Sequence, residues 1–133
     1  MNRLILEVEA EVNPTEDPEK VMTAVRRMFG DMKLEMTQEG DKSLLTGRAE
    51  GLDSLRSFHD LLRREMILDA ARGVMFKGLQ GNTITFYLNK QVAYVGHVSF
   101  SQPEKESPLG PIRVRIECDN PRRLIDWLTP RTR

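Results

Sequence analysis

Between residues 3 and 12 the chain reads "RLILEVEAEV", and apolar and polar positions alternate. Leu4, Leu6, Val8, Ala10 and Val12 fall on one side, with Arg3, Ile5, Glu7, Glu9 and Glu11 on the other. A period of two with one apolar side predicts a strand that buries a single face. The period then changes. In "NPTEDPEKVMTAVRRMFG", Val21, Met22, Val25, Met28 and Phe29 recur at helical spacing, while Asp17 suits the N-cap, Pro18 the first turn and Gly30 the stop. A helix is expected over 18–29. Residues 33–37 and 43–50, on either side of the turn-rich "QEGDK", predict a hairpin.

Helical spacing returns at Leu55, Phe58, Leu62 and Met66, with Asp53 as a cap. The run 53–76 reads as one long helix or as two joined near Arg63 and Arg64. On a helical wheel Met66, Ile67, Ala70, Ala71 and Val74 make a broad apolar side. Glu65, Asp69 and Arg72 gather on the opposite edge, with Asp69 and Arg72 at the i,i+3 spacing of an ion pair. Two readings stand for that edge: a solvated salt bridge, or an Asp69 that holds the Arg72 guanidinium for an anionic ligand.

Strands are expected at "NTITFYL" (82–88) and "AYVGHVSF" (93–100), with "NKQ" connecting them or "NKQVA" forming a short helical turn. "SQPEKESPLGP" (101–111), with three prolines and a glycine, predicts a loop. "IRVRIEC" (112–118) is a strand with Ile112, Val114, Ile116 and Cys118 inward. A last helix opens at "DNPRRLIDWL", with Asp119 or Asn120 as cap and Pro121 in the first turn. The order β-α-β-β-α-β-β-β-α implies an α+β fold: an antiparallel or mixed sheet with two main helices on one face. The other face is left for water or a partner.

A length of 133 residues suits one domain. No apolar run approaches the ~20 residues of a membrane span. The opening residues lack the pattern of a signal peptide, so a cytoplasmic protein is expected. With Cys118 the single cysteine and His59 and His97 the two histidines, no metal-ligand cluster is expected, and no cofactor. "GLQG" and "GPI" lack the spacing of a phosphate loop, and Ser99 and Ser101 near His97 have no third orienting group. A non-catalytic protein is expected.

Twenty basic and twenty acidic residues cancel, but not evenly. Residues 1–66 carry 10 Lys/Arg against 14 Asp/Glu, a net of −4, whereas residues 67–133 carry 10 against 6, a net of +4. An anionic partner would meet the second half.

Several of these segments carry a resemblance. "RREMILDAARGVMFKG", "ITFYLNKQVAYVG", "SPLGPIRVRI" and "IDWLTP", together with the opening "VEAEVNPTEDPEKV", resemble in order and spacing an uncharacterised archaeal family labelled as predicted RNA-binding. The resemblance spans nearly the whole chain and implies a fold similar to ribosomal protein L five.

The candidate RNA contacts are Arg64, Arg72, Lys77, Asn89, Lys90, Gln91, Arg113 and Arg115. Lys and Arg neutralise phosphates; Asn and Gln offer paired donors and acceptors to base edges. Each has a plainer reading beside it. The amides of "NKQ" can close a polar turn on their own backbone. Arg113 and Arg115, ~7 Å apart on one strand face, can pair with Glu7, Glu9 or Glu11 across the sheet. Tyr87 and Tyr94 are candidate stacking surfaces, while Trp127 reads as a packing anchor. The alternative function is a protein-interaction subunit that associates with a second copy through an open sheet face or edge strand.

Overall fold

The computed structural model describes residues 3–103 and 109–132. Strand β1 (Leu4–Val12) leads into helix α1 (Pro18–Phe29), the hairpin β2 (Leu34–Glu39) and β3 (Lys42–Glu50), and a single 3-10 turn over Leu52–Leu55. Helices α2 (Arg56–Arg64) and α3 (Leu68–Lys77) follow, then β4 (Leu79–Gln80), β5 (Thr83–Asn89), α4 (Lys90–Tyr94), β6 (Phe100–Ser101), β7 (Pro111–Cys118) and α5 (Pro121–Leu128). The expected α+β class holds, and the sheet is antiparallel, in the order β2-β3-β1-β7-β5-β4 with β6 also on β5.

Register carries the alternation of β1 across the whole sheet. Leu6 lies opposite Ile116, which lies opposite Ile84; Val8, Val114 and Phe86 form the next row, and Ala10, Ile112 and Leu88 the one after. All nine are buried, so one face of the sheet is the core side and the helices cover it. A chain of rings ties the layers together: Phe29 of α1 lies 5.2 Å from Phe58 of α2, which stacks at 5.6 Å on Phe86 of β5, itself edge-on to Phe100 of β6 at 5.8 Å. Aromatic pairs in these offset geometries contribute beyond the area they bury.

Local chemistry sets the ends of the elements. Asp17 caps α1 by accepting from the Glu19 amide at 3.0 Å, with Pro18 in the first turn as expected. The β2–β3 turn is tighter than "QEGDK" suggests: Glu39 pairs with Lys42, leaving Gly40 and Asp41 as a two-residue turn with Gly40 at φ 66°. At Gly78 the requirement is steric, because a Cβ there would collide with the carbonyl oxygen of Thr85.

Of the two readings of 53–76, two joined helices form, broken at Glu65–Ile67 just past the expected joint near Arg63 and Arg64. Three expectations are corrected. Met66 adopts φ 59° and stands 88% exposed, off the apolar side assigned to it. Residues 93–100 are not a strand: the helical turn weighed for "NKQVA" forms as α4 over "KQVAY", capped by Asn89, and only Phe100–Ser101 pair with β5. The side chain of Asn89 competes for the backbone at the strand end and turns the chain into a helix. Thirdly, "LQ" before Gly81 forms a short strand, β4, that the pattern does not signal. Of the loop expected over 101–111, residues 104–108 lie outside the described residues.

Candidate nucleic-acid interface

The open face of the sheet holds the two arginines of β7, and the register decides their company. Arg113 lies opposite Glu9 and Arg115 opposite Glu7. Arg113 Nη2 is 3.3 Å from Glu9 Oε2 and Arg115 Nη1 is 3.4 Å from Glu7 Oε1, all four side chains being about half exposed. The same pattern continues outward: Arg48 meets Glu50 at 2.9 Å and Lys42 meets Glu11 at 2.7 Å. The hydrogen bond and charge of Glu11 raise the pKa of Lys42. This face is a ladder of alternating signs, not a basic platform, so the cross-strand pairing weighed for Arg113 and Arg115 is what forms.

Lys90 is corrected from a surface contact to an interior one. Its side chain is 4% exposed, and Nζ donates to the carbonyls of Glu11 and Leu109 at 2.7 Å each and to the Glu16 carboxylate at 3.0 Å. It fastens the end of β1, the approach to α1 and the approach to β7 at one point. Asn89 is occupied as well, its Oδ1 accepting from the Val92 amide at 2.9 Å. Of "NKQ", Gln91 alone is exposed.

Asp69 and Arg72 do not pair with each other. Arg72 Nη2 lies 2.8 Å from Asp126 of α5, and Nη1 donates to the Thr129 carbonyl at 2.8 Å, while Asp69 accepts from the Thr132 hydroxyl at 2.9 Å. Arg72 sits on the side of α3 that meets α5, where Asp126 is within reach of its long stem. Arg63 reaches the same helix, donating to the carbonyls of Trp127 and Leu128 at the end of α5. Trp127 itself stacks on His59 at 4.4 Å, a packing contact as read from the sequence.

What remains exposed is helical. Arg64 at the end of α2 and Lys77 at the end of α3 are exposed and enter no ion pair among the described residues. Beside Lys77, the ring of Phe76 carries the guanidinium of Arg72 at 5.0 Å and that of Arg122 at 5.6 Å. Arg122 and Phe76 are absent from the candidates named above. Arg122 stands in "NPRRL", where the two arginines flank a helix start, and Phe76 reads in sequence as part of an apolar run. A second group lies in the net-acidic half of the sequence, where composition gives no signal for it: Lys20 and Arg27 of α1, whose charged ends lie 5.7 and 5.9 Å from the centre of the Tyr94 ring.

One polar contact ties the α2–α3 joint to the segment after α4. Glu65 accepts from the Val98 amide at 3.3 Å and lies 3.0 Å from His97 Nδ1. The hydrogen bond to His97, with that from Val98, lowers the pKa of Glu65.

Comparison with known proteins defines the class first. A family model described as RNA binding matches residues 5–118, from the first residues of β1 to the end of β7. A UPF0201 protein of Sulfurisphaera tokodaii is 52% identical over 132 residues, covering 99% of this chain and 90% of the relative. One from Sulfolobus acidocaldarius is 48% identical, also over 132 residues, with the same shares of the two chains covered. The crystal structure of a UPF0201 protein from Methanococcus jannaschii superposes with a TM-score of 0.85 at 35% identity, covering 95% of this chain and 99% of that one. The chain belongs to the UPF0201 family, matched by the RNA-binding family model.

Proposed function

We propose that this protein is a cytoplasmic, non-catalytic RNA-binding module that contacts phosphates through the cations of its helical layer. The kinship of the fold with ribosomal protein L five, implied by the resemblance, belongs to the same proposal. The observation that carries the reading is the division of the cations. Arg48, Arg113 and Arg115 of the open sheet face are matched by glutamates, whereas Arg64, Lys77 and Arg122 extend from α2, α3 and α5 without an ion-pair partner among the described residues. Arg72, held by Asp126 and stacked on Phe76 beside Arg122, gives the α3–α5 side a fixed member. A guanidinium anchored on one side and lying on an aromatic ring loses little freedom when it meets a phosphate.

The test is titration of labelled structured and single-stranded RNA at two salt concentrations. Affinity should fall steeply with salt, and Lys77→Ala or Arg122→Ala should each lower the log–log slope by ~0.7–0.9, the share of one phosphate contact. Arg115→Ala should leave the slope unchanged. Failure of both RNAs to bind below about 100 μM at low salt would remove the reading, since that is the weak end of non-specific affinity.

A self-associating subunit is the second reading, and one feature favours it. Strand β2 has a strand neighbour on one side alone among the described residues, and Met36 within it is 40% exposed. Unpaired edges with exposed apolar residues are templates for a second chain. Sedimentation over a range of concentrations separates the two readings: a rise in mass without RNA affinity selects this one.

A further inference from the structure

We infer that the groove between α1 and α4 takes one unpaired nucleotide of a single-stranded RNA, its base against Tyr94 and its flanking phosphates at Lys20 and Arg27. This rests on the RNA-binding reading above and adds to it the kind of RNA and a second place of contact.

The groove is a cavity of about 530 Å³, walled by Val21, Tyr94, Val95 and Leu109, with Glu16, Asp17, Lys20 and Gln91 among its polar lining; Arg27 stands beside the ring, outside that lining. Its back is rigid. Lys90, at the first position of α4, is buried and bonded to Glu11, Glu16 and Leu109, so the neighbouring Gln91 and Tyr94 project from a fixed turn of helix. Tyr94 packs against the core yet remains partly exposed, and Val95 beside it is 61% exposed. An apolar wall left open to water beside a cavity is a surface suited to an aromatic ligand.

Charge says which aromatic ligand. Lys20 Nζ lies 5.7 Å from the centre of the Tyr94 ring and Arg27 Cζ 5.9 Å from it, and neither enters an ion pair among the described residues. The two cations are seven residues, about two turns, apart on α1, so both stand on its Tyr94 side. A base on that ring, with the two cations turned to its flanking phosphates, would use all three groups. Gln91 adds an amide that can donate to and accept from a base edge. A duplex keeps its base faces stacked and cannot use the ring, so discrimination against duplex follows. Phe76 lacks this combination: Arg72 over its ring is held by Asp126 and the Thr129 carbonyl.

The experiment compares wild type, Tyr94→Leu and Tyr94→Phe for binding to a labelled single-stranded oligonucleotide and to a hairpin duplex, each with a thermal melt. Loss of one stacked base should weaken single-strand binding by Tyr94→Leu about 5- to 150-fold, corresponding to ~1–3 kcal/mol. Tyr94→Phe should keep wild-type affinity, and duplex binding should not change in either variant. Lys20→Ala and Arg27→Ala should each lower the single-strand salt slope by ~0.7. Photo-crosslinking the wild-type protein to a photoreactive oligonucleotide covers the case of a variant that fails to fold, with adducts expected on Tyr94 or Gln91. A folded Tyr94→Leu that binds single strands as wild type does, or adducts confined to other residues, would overturn this inference and leave RNA binding standing. Wild-type protein that binds neither RNA overturns the RNA reading itself.

Discussion

At the scale of single residues, Lys90 shows how parity along a strand outweighs chemical type. Ile84, Phe86 and Leu88 are the inward positions of β5, and the same parity continues to position 90. A lysine on that side has to find a carboxylate, and Glu16, whose side chain is 8% exposed, supplies it. That burial was legible in "ITFYLNK" itself, but the identity of the partner was not, because residues 16 and 90 meet only through the fold. Removing one member of a buried pair strands the other: Lys90→Ala is expected to cost about 3–5 kcal/mol in urea unfolding. Lys90→Met combined with Glu16→Leu should recover only the part due to the stranded carboxylate, because the Glu11 and Leu109 carbonyls still lose Nζ, and a loss below about 1 kcal/mol for the single change would contradict the buried pairing. Glu65 makes a prediction in pH. Its folded pKa is lowered by His97 and Val98, so its contribution is present above the ordinary glutamate range and disappears as the pH falls through that lowered value. Melting temperatures of wild type and Glu65→Gln, measured downward from neutral pH, should therefore converge in acid. A constant gap would show that Glu65 does not act through its charge.

At the scale of elements, the pattern was sufficient where a segment buries one regular face and insufficient where a side chain redirects the backbone. β1, α1, β7 and α5 follow their periods closely, and their caps are the residues expected. The α2–α3 joint was offered in sequence only as one of two options, because "REMILD" keeps helical spacing through the break and contains neither glycine nor proline. Met66 takes the left-handed conformation there at φ 59°, which ordinarily favours glycine. Since the side chain is 88% exposed, replacing it sacrifices little packing. Met66→Gly should then be neutral to stabilising by up to about 1 kcal/mol, relief of backbone strain being partly offset by the greater freedom of glycine in the unfolded chain. Met66→Ile, β-branched at a positive φ, should destabilise by about 1 kcal/mol or more. Chemical denaturation of the pair checks the order, and a more stable isoleucine variant would mean that the joint is not left-handed in solution. The strand expected over 93–100 failed for a related reason: one side-chain bond from Asn89 starts a helix that no periodicity announces.

At the scale of the molecule, zero net charge hides a separation by layer that is more telling than the separation by sequence half. The first half was read as acidic and the second as basic, but antiparallel pairing of β1 with β7 lays the glutamates of one directly against the arginines of the other. The excess negative charge of β1 is thereby spent on the sheet, and cations from both halves are left on the helices. If Glu7 and Glu9 are what keep the open face from attracting RNA, removing their charge should create a basic platform where none exists. Glu7→Gln with Glu9→Gln frees Arg113 and Arg115, and RNA affinity at low salt should rise, with the salt slope steepening by up to ~1.4–1.8 for two added phosphate contacts. Stability should fall by less than about 1 kcal/mol for each pair, because half-exposed ion pairs contribute little. Adding Arg113→Ala and Arg115→Ala to that variant should return the affinity to its original value. If the glutamine variant binds RNA no more tightly than wild type, neutralisation by the β1 glutamates is not what silences the sheet face, and the assignment of RNA contacts to the helical layer loses its electrostatic basis.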